Sequence, residues 1–415
     1  MYFLNGLIRA GLFSISLVEA SSNGPYLNTN NYEQLRAAAE MAMKNLMSYY
    51  TPNSQGIFNE AQMPWHESGM VWDLNFDYAK WTGDTQFLSM VTEALFHQSR
   101  DDAHDFLGPG EQTDGAWNDD ILWPSQAAAA AAEFYGAAAT IPGGKATWIE
   151  LAEKTYREAG SQMDNKCGGG IYWYRDRKSP KGKFKSLITQ LEFISQGARN
   201  YLINKDSRTL NQAKVILNWV LSSGLGNQRT GVLFDGVGVD NCSKLKDQQW
   251  SYNYGQLLGA LSRMYKATGE QEYLDLATPF FDYSRRTFAA YNTSGIITEP
   301  CEPTRTCNRD QQGFKSIYVR GIAQLYLATN NQKVKGEIRG MIDTSVKAMV
   351  ARSCDRYYNC GGNWTLDTQP VKYVRSQHVS TALLVAAVGI HGGNRPKKAG
   401  WILPYSATKP LKGSY

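Results

Sequence analysis

Past its first twenty residues, this 415-residue chain has no apolar stretch long enough to cross a bilayer, so stable membrane insertion is not expected. Nor does it carry a block of Lys and Arg. The net charge is only +5 and dispersed, which excludes nucleic acid as an expected partner, because a dedicated binder gathers its cations on one stripe. No long Pro, Ser or charged run marks a linker, and one large repetitive domain over residues 21–395 is expected. The only glycine triplet, Gly168-Gly169-Gly170, lacks the Lys-Ser/Thr of a phosphate-binding loop and the spacing of a dinucleotide motif. A tight turn beside a substrate or a disulfide is the expected role.

Cysteine is sparse, but its six copies form an even set. Cys301 with Cys307 and Cys354 with Cys360 are close in sequence, which leaves Cys167 and Cys242 for a long-range bridge, although six cysteines allow 15 pairings. Neither short pair has zinc-ligand spacing and no His pair follows, so no metal is expected. Arg9, the apolar stretch Gly11 to Val18 and the small residue Ala20 read as a signal peptide, residues 1–20. Asn241, Asn292 and Asn363 head N-x-S/T triplets, consistent with a secreted glycoprotein of the cell exterior or wall. Residues 396–415 form a polar, proline-containing extension without the hydrophobic tail of a GPI signal.

What the chain does have is an acidic pair in an aromatic frame: Trp117, Asn118, Asp119, Asp120, Ile121, Leu122, Trp123. Two close carboxyls repel each other and differ in burial, so their pKa values separate, and one can act as an ionised nucleophile while the other is a protonated acid. Glycosidic cleavage needs that division. Acidic residues also serve as ordinary helix caps, and Pro124 predicts that this junction falls in a first helical turn. Flat indoles on both sides favour a sugar site over a solvated cap.

Helix-break signals recur about every 60 residues: Thr82-Gly83-Asp84, Pro142-Gly143-Gly144, Asn204-Lys205-Asp206, Thr268-Gly269-Glu270, Thr329-Asn330-Asn331 and His391-Gly392-Gly393. Helical stretches flank most of them, which predicts six helical hairpins, arranged as an open solenoid or a closed toroid. Unequal insertions before the inner helices, rich in aromatics, glycine and acids, favour the toroid with a cleft at one end. They include Pro64 to Gly69, Cys167 to Trp173, Phe234 to Gly236, Gln249 to Tyr254 and Asp310 to Lys315.

These segments resemble family-76 glycoside hydrolases, the family of endo-α-1,6-mannanases and fungal wall-mannosidase-like proteins. The resemblance rests on Asn118-Asp119-Asp120 followed by Trp123, and on Cys167 to Trp173, Asp235-Gly236, Trp250 to Gly255, Glu299-Pro300-Cys301, and Cys307-Asn308 with Asp310-Gln311 and Phe314-Lys315. It implies an all-α (α/α)6 barrel, a retaining mechanism on α-1,6-linked mannose, no cofactor, and mannan or a mannose-containing wall glycan as partner. Carried over residue by residue, Asp119 is the nucleophile and Asp120 the acid/base. Trp117, Asn118, Trp123, Trp173, Asp235, Tyr252, Asn253, Asp310 and Gln311 are expected to touch substrate, in a protein acting as a monomer. Two rival readings share these residues: a same-fold glycosidase with another substrate, and a non-catalytic wall-glycan binder whose Asp pair only hydrogen-bonds sugar.

Overall fold

The computed structural model describes residues 25–59, 61–100, 104–107, 116–143, 145–366 and 373–392. The expected signal peptide, 1–20, and C-terminal extension, 396–415, lie outside the described residues. Twelve α-helices are found among the described residues, in two concentric rings. The inner ring is α2 (Trp65–Thr82), α4 (Asn118–Tyr135), α6 (Leu187–Asn204), α8 (Ser251–Thr268), α10 (Phe314–Ala328) and α12 (Val374–Gly392). Each packs on the next, and α12 packs back on α2, closing the toroid. The outer ring is α1 (Tyr32–Met47), α3 (Leu88–Gln98), α5 (Trp148–Gly160), α7 (Ser207–Ser222), α9 (Glu272–Phe288) and α11 (Gln332–Ser353).

Residue pattern decides which ring a helix joins. Inner helices are covered on every side: in α12 every residue from Gln377 to Ile390 is buried, and in α4 so is the whole run Ala127 to Ala132. Outer helices bury one stripe. In α5 it is Trp148, Ile149, Leu151, Ala152, Thr155, Tyr156 and Ala159, with Glu150 and Arg157 exposed, and Thr147 and Glu150 form a capping box at its start. Five of the six break signals are the turns from inner to outer helix, and Gly83 and Gly269 end α2 and α8 in the left-handed conformation. The sixth differs. The outer partner of α12 is α1, from the start of the chain, so the last hairpin joins the two ends of the described sequence.

Because the inner-to-outer turns are short, the long connections all precede inner helices and lie at one end of the toroid. The chain is not purely helical there. Loop backbone groups pair with one another in two small antiparallel sheets, β1 (Phe184–Ser186) with β4 (Gly236–Gly238) and β5 (Leu245–Lys246), and β2 (Gly226–Asn227) with β3 (Val232–Leu233). The three disulfides are Cys167–Cys242, Cys301–Cys307 and Cys354–Cys360, all in these connections and paired as expected. The glycine triplet wraps the Trp219 indole of α7: a Cβ on Gly170 would lie 2.5 Å from that ring, and Gly168, Gly169 and Gly170 all have positive φ. It forms the turn beside the Cys167–Cys242 disulfide.

Two packing devices tie the inner ring together. At the α8–α10 crossing a Cβ on Gly321 would sit 1.9 Å from the Gly255 carbonyl oxygen, so only glycine allows the helices to approach this closely. Nearer the barrel axis, charges from four helices interlock. Arg320 of α10 reaches Asp73 at 2.5 Å and Asp77 at 2.7 Å on α2, while Arg199 of α6 reaches Asp73 at 3.0 Å and Glu133 of α4 at 2.8 Å. Burial pushes the Asp73 carboxyl up, but Arg320, Arg199 and Arg263 outweigh it and hold it down at about 2.

Candidate active site

The loop end of the toroid opens into a cleft of about 750 Å³. Its lining brings together Trp117, Asp119, Asp120, Trp123, Trp173, Asp235, Tyr252 and Asp310 from the residues expected in sequence. The acids occupy the first turn of α4, after the extended residue Trp117. Pro124 is not in that turn as expected. It is the seventh residue of α4 and offers no N–H to the Asp120 carbonyl; Gly69 of α2 accommodates it, since a Cβ there would lie 2.6 Å from the proline nitrogen.

Three other expectations are corrected. Asn118 is fully buried and does not line the cleft: its Nδ2 donates to the Tyr172 carbonyl at 2.7 Å, its Oδ1 accepts from Arg175 at 2.9 Å, and its backbone N–H donates to Trp173. It holds the Trp173 loop against the start of α4. Asn253 is buried behind Asp235, to whose Oδ1 it donates at 3.2 Å. Gln311 is occupied by Asn308, its Oε1 accepting from the Asn308 backbone and its own N–H donating to Asn308 Oδ1, both at 2.9 Å. Asp310 makes no capping bond, and its carboxylate faces the cleft.

Asp119 is buried, and its Oδ2 accepts from the Trp173 indole N–H at 2.9 Å. Burial lifts its pKa to about 7, above the opposing pull of Trp173 and of the backbone N–H groups at residues 119 and 120, with Asp235 adding repulsion. Asp120 is more exposed, with His66 Nδ1 at 3.5 Å from Oδ1. That contact is not an ion pair: burial, then Arg375 and Arg309, hold the His66 pKa down at about 3. Glu192 of α6, fully buried, is pushed well above the carboxylate range by burial and then by Asp119 and Asp120. The three carboxyls therefore share an unequal environment, the condition under which acids take separate roles.

Aromatic faces complete the cleft. Tyr252 stacks on Phe314 with centroids 3.9 Å apart and planes 3° apart, a pairing set by the glycine crossing of α8 and α10 that lies just below it. Trp117 and Trp173 meet at 6.2 Å on the other wall. Sequence reasoning named the segment Pro64 to Gly69 but not its side chains, and it missed Arg309, His378, Lys181, Lys246 and Glu192 altogether. His66, Glu67 and Asp310 place ligand atoms within 4.8 Å of one another. Arg375 donates to Glu67 at 2.6 Å and Arg309 acts on both His66 and Glu67, so this cluster suits sugar hydroxyls better than a cation.

Residues 34–399 match the model of glycosyl hydrolase family 76. The chain belongs to that family. Among family-76 relatives, mannan endo-1,6-alpha-mannosidase DCW1 of Saccharomyces cerevisiae is 27% identical over 384 residues, covering 89% of this chain and 82% of its own. The Candida albicans protein of the same name is 26% identical, covering 85% and 78%. Dfg5 from Chaetomium thermophilum, solved with glucosamine, superposes with a TM-score of 0.74 at 22% identity over 88% of this chain and 92% of that one. An inactive α-1,6-mannanase variant from a Salegentibacter species, solved with an α-1,6-linked mannotetraose, gives 0.70 at 20% identity over 86% and 99%. The family-76 fold is therefore the (α/α)6 barrel of six helical hairpins expected from the sequence. Among the described residues, no helix is long and apolar enough to cross a membrane.

Proposed function

We propose that the protein cleaves α-1,6-mannosidic linkages in mannan with retention of configuration, Asp119 attacking the anomeric carbon and Asp120 protonating the leaving oxygen. The carrying observation is the pair of consecutive carboxyls in the first turn of α4, opening into an indole-lined cleft with the Trp173 N–H on Asp119. Retention requires carboxyls only about 5 to 5.5 Å apart, within reach of neighbouring residues. The curated relatives are named for this activity, and the Salegentibacter enzyme was inactivated by replacing two consecutive aspartates. In the second half of the reaction Asp120 activates a water, or a sugar hydroxyl when transfer replaces hydrolysis.

The raised pKa of Asp119 has a use in this scheme. Burial disfavours its charge in the free enzyme, and the oxocarbenium-like transition state supplies a positive partner that restores it. The stabilisation is greatest where it lowers the barrier. The complete cleft within one chain supports action as a monomer, and six cysteines in three disulfides support export to an oxidising compartment at the cell exterior or wall. Asn241 and Asn292 are exposed and Asn363 half-buried, which suits glycosylation best at the first two.

The test is incubation with linear α-1,6-mannohexaose followed by proton NMR. Early α-anomers of shorter or longer oligosaccharides are expected, the longer ones marking transfer; early β-anomers would refute retention. The pH dependence follows from the geometry. A nucleophile must be ionised, so activity is lost as pH falls through the Asp119 pKa, and the acidic limb of kcat/KM is expected well above the ordinary carboxylate value, toward about 7. An acidic limb near 4 would show that Asp119 titrates as an ordinary carboxylate despite its burial.

A further inference from the structure

The connection between Tyr174 and β1 carries five cations, Arg175, Arg177, Lys178, Lys181 and Lys183, against one acid, Asp176. It is a folded lip of the cleft, not a loose tail. Gly182 lies so close over the Asp176 carbonyl that a Cβ would fall 2.0 Å from its oxygen, and Pro180–Lys183 forms a 3-10 turn begun by Ser179. Three of the cations have structural partners. Arg175 donates to Asn118, Arg177 pairs with Asp164 at 3.1 Å, and Lys183 lies 3.6 Å from Asp240.

Lys181 is different. It lines the cleft, and among the described residues no carboxylate lies within ion-pair distance of it; its ammonium instead rests 4.9 Å from the Trp117 ring centroid and 5.8 Å from that of Tyr174. A second ammonium, Lys246, lines the same cleft, 5.4 Å from the Phe184 centroid and 3.4 Å from Asp235. The Trp117 end of the cleft therefore holds two ammonium groups against one neighbouring carboxylate outside the catalytic pair.

We propose that this end binds a phosphate ester carried on the glycan, with Lys181 as its principal contact; the inference rests on the reading of the cleft as a glycan site. A neutral hydroxyl is satisfied by any donor or acceptor, whereas an ammonium without a counter-ion can only donate and pairs best with an anion. Phosphate fits better than a sugar carboxylate. Separate lysine point charges suit a tetrahedral anion approached from several sides, while a planar carboxylate is matched by an arginine fork, and the arginines of this lip, Arg175 and Arg177, are engaged by Asn118 and Asp164 and do not line the cleft. Stacking on Trp117 and Tyr174 keeps the ammonium at the cleft edge, next to the sugar rings those faces would carry.

The experiment uses the Asp119→Asn protein, so that binding is read without turnover. Calorimetry compares α-1,6-mannotetraose with the same oligosaccharide bearing one 6-phosphate, and with one bearing a uronate carboxylate. The phosphorylated ligand is expected to bind about tenfold tighter than the neutral one, the scale of one charge-assisted hydrogen bond. That preference should fall toward one when Lys181→Met is added, persist with Lys181→Arg, and shrink at high salt. Equal affinity for neutral and phosphorylated ligands, or a preference that Lys181→Met leaves intact, overturns the inference, as does tighter binding of the uronate. If the phosphate preference holds while wild-type protein turns over neither glycan, the hydrolase proposal fails and this one stands.

Discussion

Replacing Asp119 by Asn is expected to reduce turnover of α-1,6-mannooligosaccharides by about 10⁴-fold or more, the scale at which enzymes lose a covalent nucleophile. Binding should survive. Asn is nearly isosteric, its side-chain oxygen can still accept from the Trp173 indole, and the aromatic walls that carry the sugar are untouched. In the wild-type protein the buried carboxyl is raised by desolvation, so Asn also mimics the neutral form that burial favours, and the fold should be at least as stable. The comparison of product formation by NMR with ligand affinity by calorimetry separates the roles. Turnover within tenfold of wild type would end the nucleophile assignment, and wild-type protein that binds the oligosaccharide without forming product would favour the reading in which the pair only binds sugar.

Replacing Arg320 by Met is expected to destabilise the barrel by about 3–5 kcal/mol, because two buried carboxylates on α2 lose a shared partner. Asp73 keeps Arg199, but Asp77 has no other ion pair among those that join the inner helices. The size of the effect reflects the stranded charge rather than the worth of the pairing. Removing Asp73 and Asp77 together with Arg320, in favour of apolar residues of similar volume, should recover much of the loss. Urea denaturation of the two proteins reads both effects. A single-variant loss below about 1 kcal/mol would show that water or rearrangement already satisfies these acids, and that the network does not tie α2 to α10.

The sequence displayed the skeleton and the carboxyl pair for one reason: both are local patterns. Glycine and Asx breaks at a regular spacing mark hairpins, and two consecutive acids between indoles are visible in seven residues. Cysteine pairing was legible because two bridges close short loops and left one possibility for the third. The remainder of the cleft is assembled from afar. His66, Glu67, Lys181, Arg309 and His378 come from four different connections and inner helices, and each is unremarked in its own neighbourhood. Asn118, Asn253 and Gln311 were misplaced for the converse reason. Polar side chains beside aromatics look like ligands, but here backbone groups and neighbouring side chains at helix starts required those same hydrogen bonds. Pro124 shows how a rule of thumb fails when a facing glycine removes the obstacle it assumes.

The joining of α12 to α1 governs the order in which this protein can be made. During synthesis the first outer helix emerges without the surface it will cover, and that surface arrives more than 300 residues later. Until α12 inserts between α2 and α10, the apolar sides of those helices stay open, and His378, a wall of the cleft, is missing. Contacts this distant in sequence form slowly and leave partly assembled chains prone to aggregate. The nascent polypeptide thus exposes these apolar faces until α12 has been made, and the cleft can appear only in a chain whose barrel has already closed.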